Sequence, residues 1–238
     1  MEGAQAVREA LRSGRVHELF VTAAAAQRNP ELVDAARDVA ARISPVTDEA
    51  AASLSDTVTP QGLIAVCDLL DVPVDAALAG PPALAAVLVG VADPGNAGTV
   101  IRVADAAGAG AVLLAGDAVD PHNGKAVRAS TGSVFHLPLA RSRDVTAVLA
   151  ACRAAGLTLL AADGRGELDL HDPAAAPVLA APTAWVFGGE AHGLPADLAA
   201  AADHRVRVPI HGRAESLNLA TAAAVCLYAS AAAHRPPA

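Results

Sequence analysis

The sequence has few aromatic residues, few cysteines and a shortage of positive charge. Three Phe, one Trp and one Tyr among 238 residues leave most of any core to aliphatic side chains. Cys67, Cys152 and Cys226 stand apart, without metal-ligand spacing, and we expect buried thiols in a reducing compartment. The net charge of −8 excludes nucleic-acid binding through an overall positive field, so any RNA contact must come from local clusters of arginine.

Several familiar signals are also missing. No apolar run is long enough to span a bilayer and no signal-peptide pattern is present, so we expect a cytoplasmic protein without a membrane partner. The eight histidines show no zinc spacing, and no metal is predicted. The sequence contains neither a Walker phosphate loop nor a Gly-x-Ser-x-Gly elbow. The glycines at 108–111 precede a strand pattern, whereas those of a dinucleotide site follow one.

Apolar residues make up 53% of the chain, which is enough for a sizeable core. Helical and extended patterns predict a small α/β domain over residues 1–72, a linker rich in proline and glycine over 73–82, and a second domain over 83–238. In the second domain strands and helices alternate, which predicts a mostly parallel sheet with helices on both faces. Helices are predicted at 4–11, 30–40, 48–54, 97–107, 125–129, 144–155 and 219–232, and strands at 16–22, 43–46, 62–66, 83–91, 111–114, 157–161, 184–187 and 204–208.

The first motif lies at residues 93–102, where an apolar strand pattern gives way to a helix. After a Pro-Gly turn, Asn96 is placed to cap the helix, and Gly98 permits close approach of another backbone or a ligand. Arg102 follows less than two helical turns later and can reach the same end of a site. A capped helix with a solvated arginine is also consistent with this pattern.

The second motif follows the apolar strand that ends at Phe187. Gly188 and Gly189 allow backbone groups to touch a ligand, and Glu190 lies at the strand's carboxyl end, where a charge is costly unless it is paired. A tight strand–helix turn whose Glu pairs with an Arg is also consistent. His192 is interpreted as a loop residue.

The third motif begins where Pro209 ends a strand. Ser216 or Asn218 can cap the following helix, and residues 215–218 place more polar groups around one Leu than capping requires. An ordinary helix cap is the alternative. His211 is interpreted as a loop residue.

Together, the three motifs resemble the signatures of the SpoU (TrmH-type) RNA ribose 2′-O-methyltransferases. The resemblance covers residues 83–232 and rests on Asn96-x-Gly98-x-x-x-Arg102, Gly188-x-Glu190-x-x-Gly193-Leu194, and Pro209 with Ser216-Leu217-Asn218. Residues 1–67 are similar to the small substrate-binding domain of many members, through residues 2–11, 16–20 and 54–62. That domain resembles the RNA-binding L30e fold.

The resemblance implies a SPOUT catalytic domain, a five- or six-stranded parallel sheet whose C-terminal segment forms a trefoil knot. It implies S-adenosylmethionine as cofactor, with no metal, and a homodimer whose RNA site crosses the interface. The cofactor-binding residues implied by position are Leu160, Ala161, Ala162, Gly188, Gly189, Val208, Ile210, Ser216 and Leu217.

The implied catalytic residues are Asn96, Arg102, Glu190, Ser216 and Asn218. Arg102 would activate the ribose hydroxyl or hold the adjacent phosphate, and the second role is favoured because a guanidinium is a poor base. Asn96 and Asn218 would bind ribose and phosphate, Glu190 would orient Arg102 or the loop, and Ser216 would cap the last helix and touch the reacting centre.

Ribosomal RNA of the large subunit is the favoured substrate because members with the small N-terminal domain often modify it. Transfer RNA is the alternative substrate. The alternative functions are a non-catalytic RNA-binding or assembly protein on the same fold and a nucleotide-dependent enzyme with a small acidic substrate. The predicted RNA-binding residues are Arg8, Arg12, Arg15, Lys125, Arg128, Arg141 and Arg143.

Overall fold

A computed structural model describes residues 1–234, which form two β-sheets with flanking helices. The helices are α1 (Ala4–Arg12), α2 (Ala23–Arg28), α3 (Pro30–Asp38), α4 (Asp48–Ser53), α5 (Val74–Ala77), α6 (Pro94–Ala107), α7 (Gly124–Ser130), α8 (Val145–Ala154), α9 (Ala176–Ala180), α10 (Ala196–Ala201) and α11 (Leu219–Ala233). The strands are β1 (Val16–Thr22), β2 (Arg42–Val46), β3 (Leu63–Cys67), β4 (Leu84–Val89), β5 (Ala111–Ala115), β6 (Leu139–Ser142), β7 (Thr158–Ala162), β8 (Leu168–Asp169), β9 (Thr183–Gly188) and β10 (His204–Arg207). No helix among the described residues is long and apolar enough to cross a membrane.

The smaller sheet has the order β2-β1-β3, with β1 parallel to β2 and antiparallel to β3. Its core includes Val7 and Leu11 of α1, Leu19 of β1 and Leu32 of α3. Cys67, at the end of β3, is only partly buried, so the expectation of a buried thiol was wrong for this cysteine and held for the other two.

The larger sheet has the order β6-β5-β4-β9-β7-β10-β8, and all its strand pairs are parallel. This confirms the predicted parallel sheet, with seven strands rather than five or six. Two strands were not predicted: β6, whose four residues (Leu139–Ser142) do not alternate between apolar and polar, and β8, whose two residues pair with β10. The trefoil knot stays a prediction of the family resemblance.

Alternate residues of the central strand β4 support the helices on the two faces of the sheet. Leu84 and Leu88 belong to the core that includes α6 and α11, whereas Val87 faces the core that includes α5 and α8. This alternation follows from the two-residue repeat of a strand. On β9, the buried Trp185 donates its indole N–H to Ser230 Oγ of α11 at 2.9 Å, which ties the last helix to the sheet.

The two sheets are joined by contacts of α1 as well as by the linker. Glu9 of α1 is 8% exposed, although it is charged, and it lies against Gly132, where a Cβ atom would come within 2.4 Å of its Cγ. His136 connects the two parts, since its Nδ1 lies 2.7 Å from Asp105 of α6 and its Nε2 lies 3.5 Å from Glu9. The predicted linker, 73–82, contains the short helix α5, whose Ala77 packs into the larger core.

Candidate active site

A cavity of about 990 Å³ lies at the carboxyl ends of β7, β9 and β10. The strand order reverses at the neighbouring β4, with β5 and β6 on one side and β9, β7, β10 and β8 on the other. Ligands of open parallel α/β sheets bind outside the carboxyl ends of the strands. The volume is within the range of about 300–1,000 Å³ that is typical of small-molecule sites.

One wall of the cavity consists of the stretch between β10 and α11. Among the residues that the structure describes, 210–217 form no backbone–backbone hydrogen bonds, yet Ile210 and residues 215–217 line the cavity. Backbone N–H and C=O groups need partners, which water or a polar ligand must supply here. This wall therefore suits a ligand that is held by backbone groups.

The three sequence motifs meet through Asn96, Glu190 and Asn218. Asn96 donates from Nδ2 to Glu190 Oε1 at 2.9 Å, and Asn218 donates from Nδ2 to Asn96 Oδ1 at 3.1 Å. Asn218 Oδ1 in turn accepts from the N–H groups of Ala220 and Thr221, the first turn of α11. We call this chain of three side chains the polar relay.

The orientation of each amide in the polar relay follows from its neighbour. An ionised Glu190 can only accept, so Asn96 must turn its NH₂ group toward it. The carbonyl of Asn96 then faces Asn218, which must donate from its own NH₂ group. The remaining oxygen of Asn218 faces the free N–H groups of a helix end, where Asn is a preferred cap. The carboxylate of Glu190 thereby determines which group donates and which accepts in each hydrogen bond of the polar relay, from the end of β9 to the first turn of α11.

Glu190 is exposed, but its carboxylate is held by several donors. Besides Asn96, it accepts from the backbone N–H groups of Ala92 and Asp93, each at 3.2 Å. Partial burial alone would raise the pKa of Glu190, but the hydrogen bonds from Asn96 and the backbone outweigh it and lower this pKa. Glu190 thus anchors the loop before α6 as an anion.

The predicted cap of α6 was wrong, and of the two caps predicted for α11 one is confirmed. α6 begins at Pro94, and Asp93 caps it by accepting the Asn96 N–H at 2.8 Å, which leaves the Asn96 side chain free for the polar relay. Pro94 at the first position fits this earlier start, because proline suits the first turn of a helix. Asn218, not Ser216, caps α11. Ser216 lines the cavity instead.

Arg102 does not join the polar relay. It is exposed on α6, and within residues 1–234 its guanidinium forms no ion pair or hydrogen bond. The expectation that Glu190 orients Arg102 was therefore wrong, whereas the alternative, that Glu190 orients the loop, agrees with its bonds to Ala92 and Asp93. A solvated cation next to the motif remains available to an external anion.

The motif glycines serve backbone packing. A Cβ atom on Gly98 would lie 2.2 Å from the carbonyl oxygen of Ala126, so this glycine lets α7 pack directly on α6. A Cβ atom on Gly188 would lie 2.1 Å from the carbonyl carbon of Gly193, and one on Gly189 would lie 2.6 Å from the Gly90 oxygen. Gly188 and Gly189 also line the cavity.

Seven of the nine predicted cofactor-binding residues line the cavity, namely Ala162, Gly188, Gly189, Val208, Ile210, Ser216 and Leu217. Leu160 and Ala161 do not, because both are fully buried inside β7, the strand that ends at the cavity. Sequence reasoning missed Asp163, Gly164 and Asp169, which follow β7, and Arg207 at the end of β10. Polar residues directly after a parallel strand were the available signal.

Most of the predicted RNA-binding residues are paired with carboxylates. Arg8 pairs with Glu31, Arg12 with Glu9, Lys125 with Asp93, Arg128 with Glu2, and Arg141 with Asp71 and Asp120. In the described chain, Arg15 and Arg143 form no ion pair. The positive charge free for RNA is therefore smaller than the sequence alone indicated.

Known proteins share both parts of this chain. The pattern of the SpoU rRNA methylase family matches residues 83–228, and that of the RNA 2′-O ribose methyltransferase substrate-binding family matches residues 1–73. A 23S rRNA guanosine 2′-O-methyltransferase from Bacillus subtilis is 32% identical over 229 residues, 96% of this chain and 86% of that protein. An uncharacterized tRNA/rRNA methyltransferase from Archaeoglobus fulgidus is 41% identical over 103 residues, 43% of this chain and 44% of that protein.

The fold has the same relatives. The SpoU methyltransferase AviRb from Streptomyces viridochromogenes, solved in complex with AdoMet, superposes with a TM-score of 0.84 at 29% sequence identity and covers 98% of this chain and 88% of that one. This likeness extends over both sheets and agrees with the sequence matches in both parts. The chain belongs to the SpoU rRNA methylase family.

Proposed function

We propose that this protein transfers a methyl group from S-adenosylmethionine to a ribose 2′-hydroxyl of large-subunit ribosomal RNA. The observation that carries the proposal is the polar relay at the mouth of a cavity with a wall of unpaired backbone groups. Membership of the family and the AdoMet-bound relative support the choice of cofactor. The name of the Bacillus relative supports ribosomal RNA over transfer RNA.

The cavity fits this cofactor. Its volume of about 990 Å³ accommodates a nucleoside with an amino-acid tail, and Ile210 and residues 215–217 offer backbone donors and acceptors to such a ligand. The bound cofactor supplies an electrophilic methyl group on a positively charged sulfur. The chain itself has to position the RNA and leave the hydroxyl proton a route to solvent.

We assign the RNA contact at the reacting ribose to Arg102. Within residues 1–234 its guanidinium has no internal partner, and it can hold a phosphate with two parallel hydrogen bonds. The hydroxyl proton then passes to solvent, because a guanidinium is a poor base. The polar relay fixes the wall beside the ribose, and Asn96 and Asn218 each keep one Nδ2 hydrogen for the substrate.

We assign residues 1–72 to recognition of the RNA fold and residues 83–238 to catalysis. The match of residues 1–73 to a substrate-binding family supports this division. Of the predicted RNA-binding residues, Arg15 and Arg143 can bind phosphate without first giving up a carboxylate partner within the described chain. The paired cations would first have to exchange a carboxylate for RNA.

We further propose a homodimer that uses α11. This helix carries no charged side chain, and Thr221, Val225, Tyr228 and Ala232 form one stripe along it. Tyr228 is 52% exposed. Helices that are apolar on all sides are normally covered, and a second copy of the chain would cover this stripe. Light scattering should give twice the chain mass.

The test is transfer of a tritiated methyl group from S-adenosylmethionine to ribosomal RNA and to transfer RNA, with the modified nucleotide mapped by its resistance to alkaline cleavage. We expect label on a 2′-oxygen of 23S RNA. Arg102→Ala should lower turnover by at least about 100-fold while cofactor affinity stays within about twofold, because phosphate positioning acts on RNA alone.

Arg153→Ala provides a matched control, since this arginine lies outside the predicted RNA-binding set and is already paired with Asp203. Label on transfer RNA only would redirect the proposal to that substrate. Label on a base, or none with any RNA, would refute ribose methylation. Loss of cofactor binding in Arg102→Ala would make this residue structural.

A further inference from the structure

The cofactor cavity carries an excess of negative charge. Its wall contains four carboxylates, from Asp163, Asp169, Glu190 and Glu215, and one cation, Arg207. Arg207 donates to Asp169 Oδ2 at 3.3 Å and to the Gly166 carbonyl at 3.0 Å, so its positive charge is already neutralised by groups of the cavity wall. The remaining carboxylates face a cavity whose lining offers no other cation within the described residues.

Asp163 is fixed in this position by the loop between β7 and β8. Its Oδ1 accepts the Arg165 N–H at 2.9 Å, which closes a tight turn. The cation beside it, Arg205, is 4.0 Å away and pairs more closely with Glu167, at 2.9 Å. The Asp163 carboxylate is therefore held rigidly and only weakly neutralised.

Glu215 lies on the opposite wall, in the stretch without backbone hydrogen bonds. It is exposed, and in the part of the chain that the structure describes it forms no ion pair or side-chain hydrogen bond. The carboxylate of Glu190 contributes further negative charge, since its hydrogen bonds lower its pKa. Negative charge thus surrounds the cavity on the β7 side, the β9 side and the α11 side.

We infer that Asp163 and Glu215 determine specificity for a positively charged sulfur, so that the cavity holds the methyl donor more tightly than the spent cofactor. This inference rests on the proposed function. The donor carries a sulfonium and the product S-adenosylhomocysteine a neutral thioether, so the two differ by one positive charge and one methyl group. A carboxylate lining favours the cation through Coulomb attraction that salt weakens.

Such a preference has a consequence for turnover. An enzyme that binds the donor and the product equally is inhibited as the product accumulates. A cavity that discriminates by charge releases the product once the charge has been lost. Each carboxylate should contribute a factor of about two to five to the ratio of product Kd to donor Kd at low salt.

The experiment is titration calorimetry on the full-length protein with three ligands. These are S-adenosylmethionine, S-adenosylhomocysteine, and sinefungin, which carries an amine in place of the sulfonium. We expect the two cationic ligands to bind more tightly than the thioether at about 50 mM salt, and the difference to shrink at about 500 mM salt because the Debye length falls.

Asp163→Asn and Glu215→Gln should each reduce this preference about two- to fivefold, with affinity for S-adenosylhomocysteine nearly unchanged. An asparagine at position 163 can still accept the Arg165 N–H, so the turn survives. Asp75→Asn, which changes an exposed carboxylate on α5, is the matched control and should change nothing.

Equal binding of all three ligands, or sinefungin binding as weakly as the thioether, would overturn the inference and leave the methyl-donor site intact. Unchanged preference in both variants would overturn it as well. Failure of all three ligands to bind at millimolar concentration would instead refute the proposed function.

Discussion

Asn218 serves two purposes that single substitutions can separate. Its Oδ1 caps α11, and its Nδ2 donates to Asn96. Asn218→Ala removes both. Loss of a cap costs about 1 kcal/mol, and loss of an exposed neutral hydrogen bond about 0.5–1 kcal/mol. The free energy of unfolding should therefore fall by about 1.5–2 kcal/mol.

Asn218→Asp keeps the cap and destroys the polar relay. A carboxylate is a good cap and gains about 0.3–1 kcal/mol from the helix dipole, but it cannot donate to Asn96. The stability of this variant should stay within about 0.5 kcal/mol of the wild type. Methyl transfer should nevertheless fall in both variants, because the Asn96 carbonyl loses its donor and, in the second variant, faces a negative charge.

Urea unfolding and the methyl-transfer assay measure the two effects separately. Asn123→Ala is the control for capping alone, since Asn123 caps α7 through the Lys125 N–H at 2.9 Å. It should lose about 1 kcal/mol. If Asn218→Asp proved as unstable as Asn218→Ala, the capping role would be refuted, and full activity of Asn218→Asp would refute the polar relay.

Three further predictions concern charge and packing. Glu190→Gln should lower the free energy of unfolding by about 1 kcal/mol at neutral pH, and the difference should vanish as the pH falls through the lowered pKa of Glu190, which pH-dependent urea unfolding would reveal. The hydrogen bond to Asp105 raises the pKa of His136 against the opposing effect of partial burial, and Glu9 adds to the rise. Protonated His136 therefore contributes fully to the free energy of unfolding below the ordinary histidine pKa, and this contribution is lost as the pH rises through the raised pKa. His136→Gln should remove that pH dependence, worth less than about 1 kcal/mol for a half-exposed group, and an unchanged pH profile of the free energy of unfolding would refute the pairing of His136 with Asp105. Gly98→Val should push α7 away from α6, because the added side chain would collide with the Ala126 carbonyl oxygen of α7, and should cost more than about 2 kcal/mol in thermal or urea unfolding; wild-type stability would contradict the close helix packing.

Much of the fold could be predicted because local patterns are strong in this chain. β1 was predicted with its observed bounds, and α11 ends within one residue of its predicted end. β6 could not be recognised because its two apolar residues are followed by two polar ones without alternation, and β8 because two residues carry no periodicity. Their place is set by pairing with β5 and β10, which only the folded sheet provides.

The side chains that meet at the site could be predicted from the sequence, but their hydrogen-bond partners could be predicted only in part. Asn96, Glu190 and Asn218 were selected from three separate motifs, and the structure joins them by hydrogen bonds. The partner of Glu190 was wrongly assigned because an arginine nearby in the motif is a stronger electrostatic candidate than an amide. Which donors actually reach the carboxylate depends on where α6 begins, and Asp93 decides that.

The order of the longer strands and helices, the parallel sheet and the grouping of the motifs at strand ends were contained in the sequence, because hydrophobic periodicity and glycine placement are local properties. The direction of the polar relay, the pairing of most cations and the negative charge of the cavity were decided only by tertiary structure. Hydrogen bonds and charges act over a few ångströms between residues as far apart as Asn96 and Asn218, and that proximity exists only once the sheet has assembled.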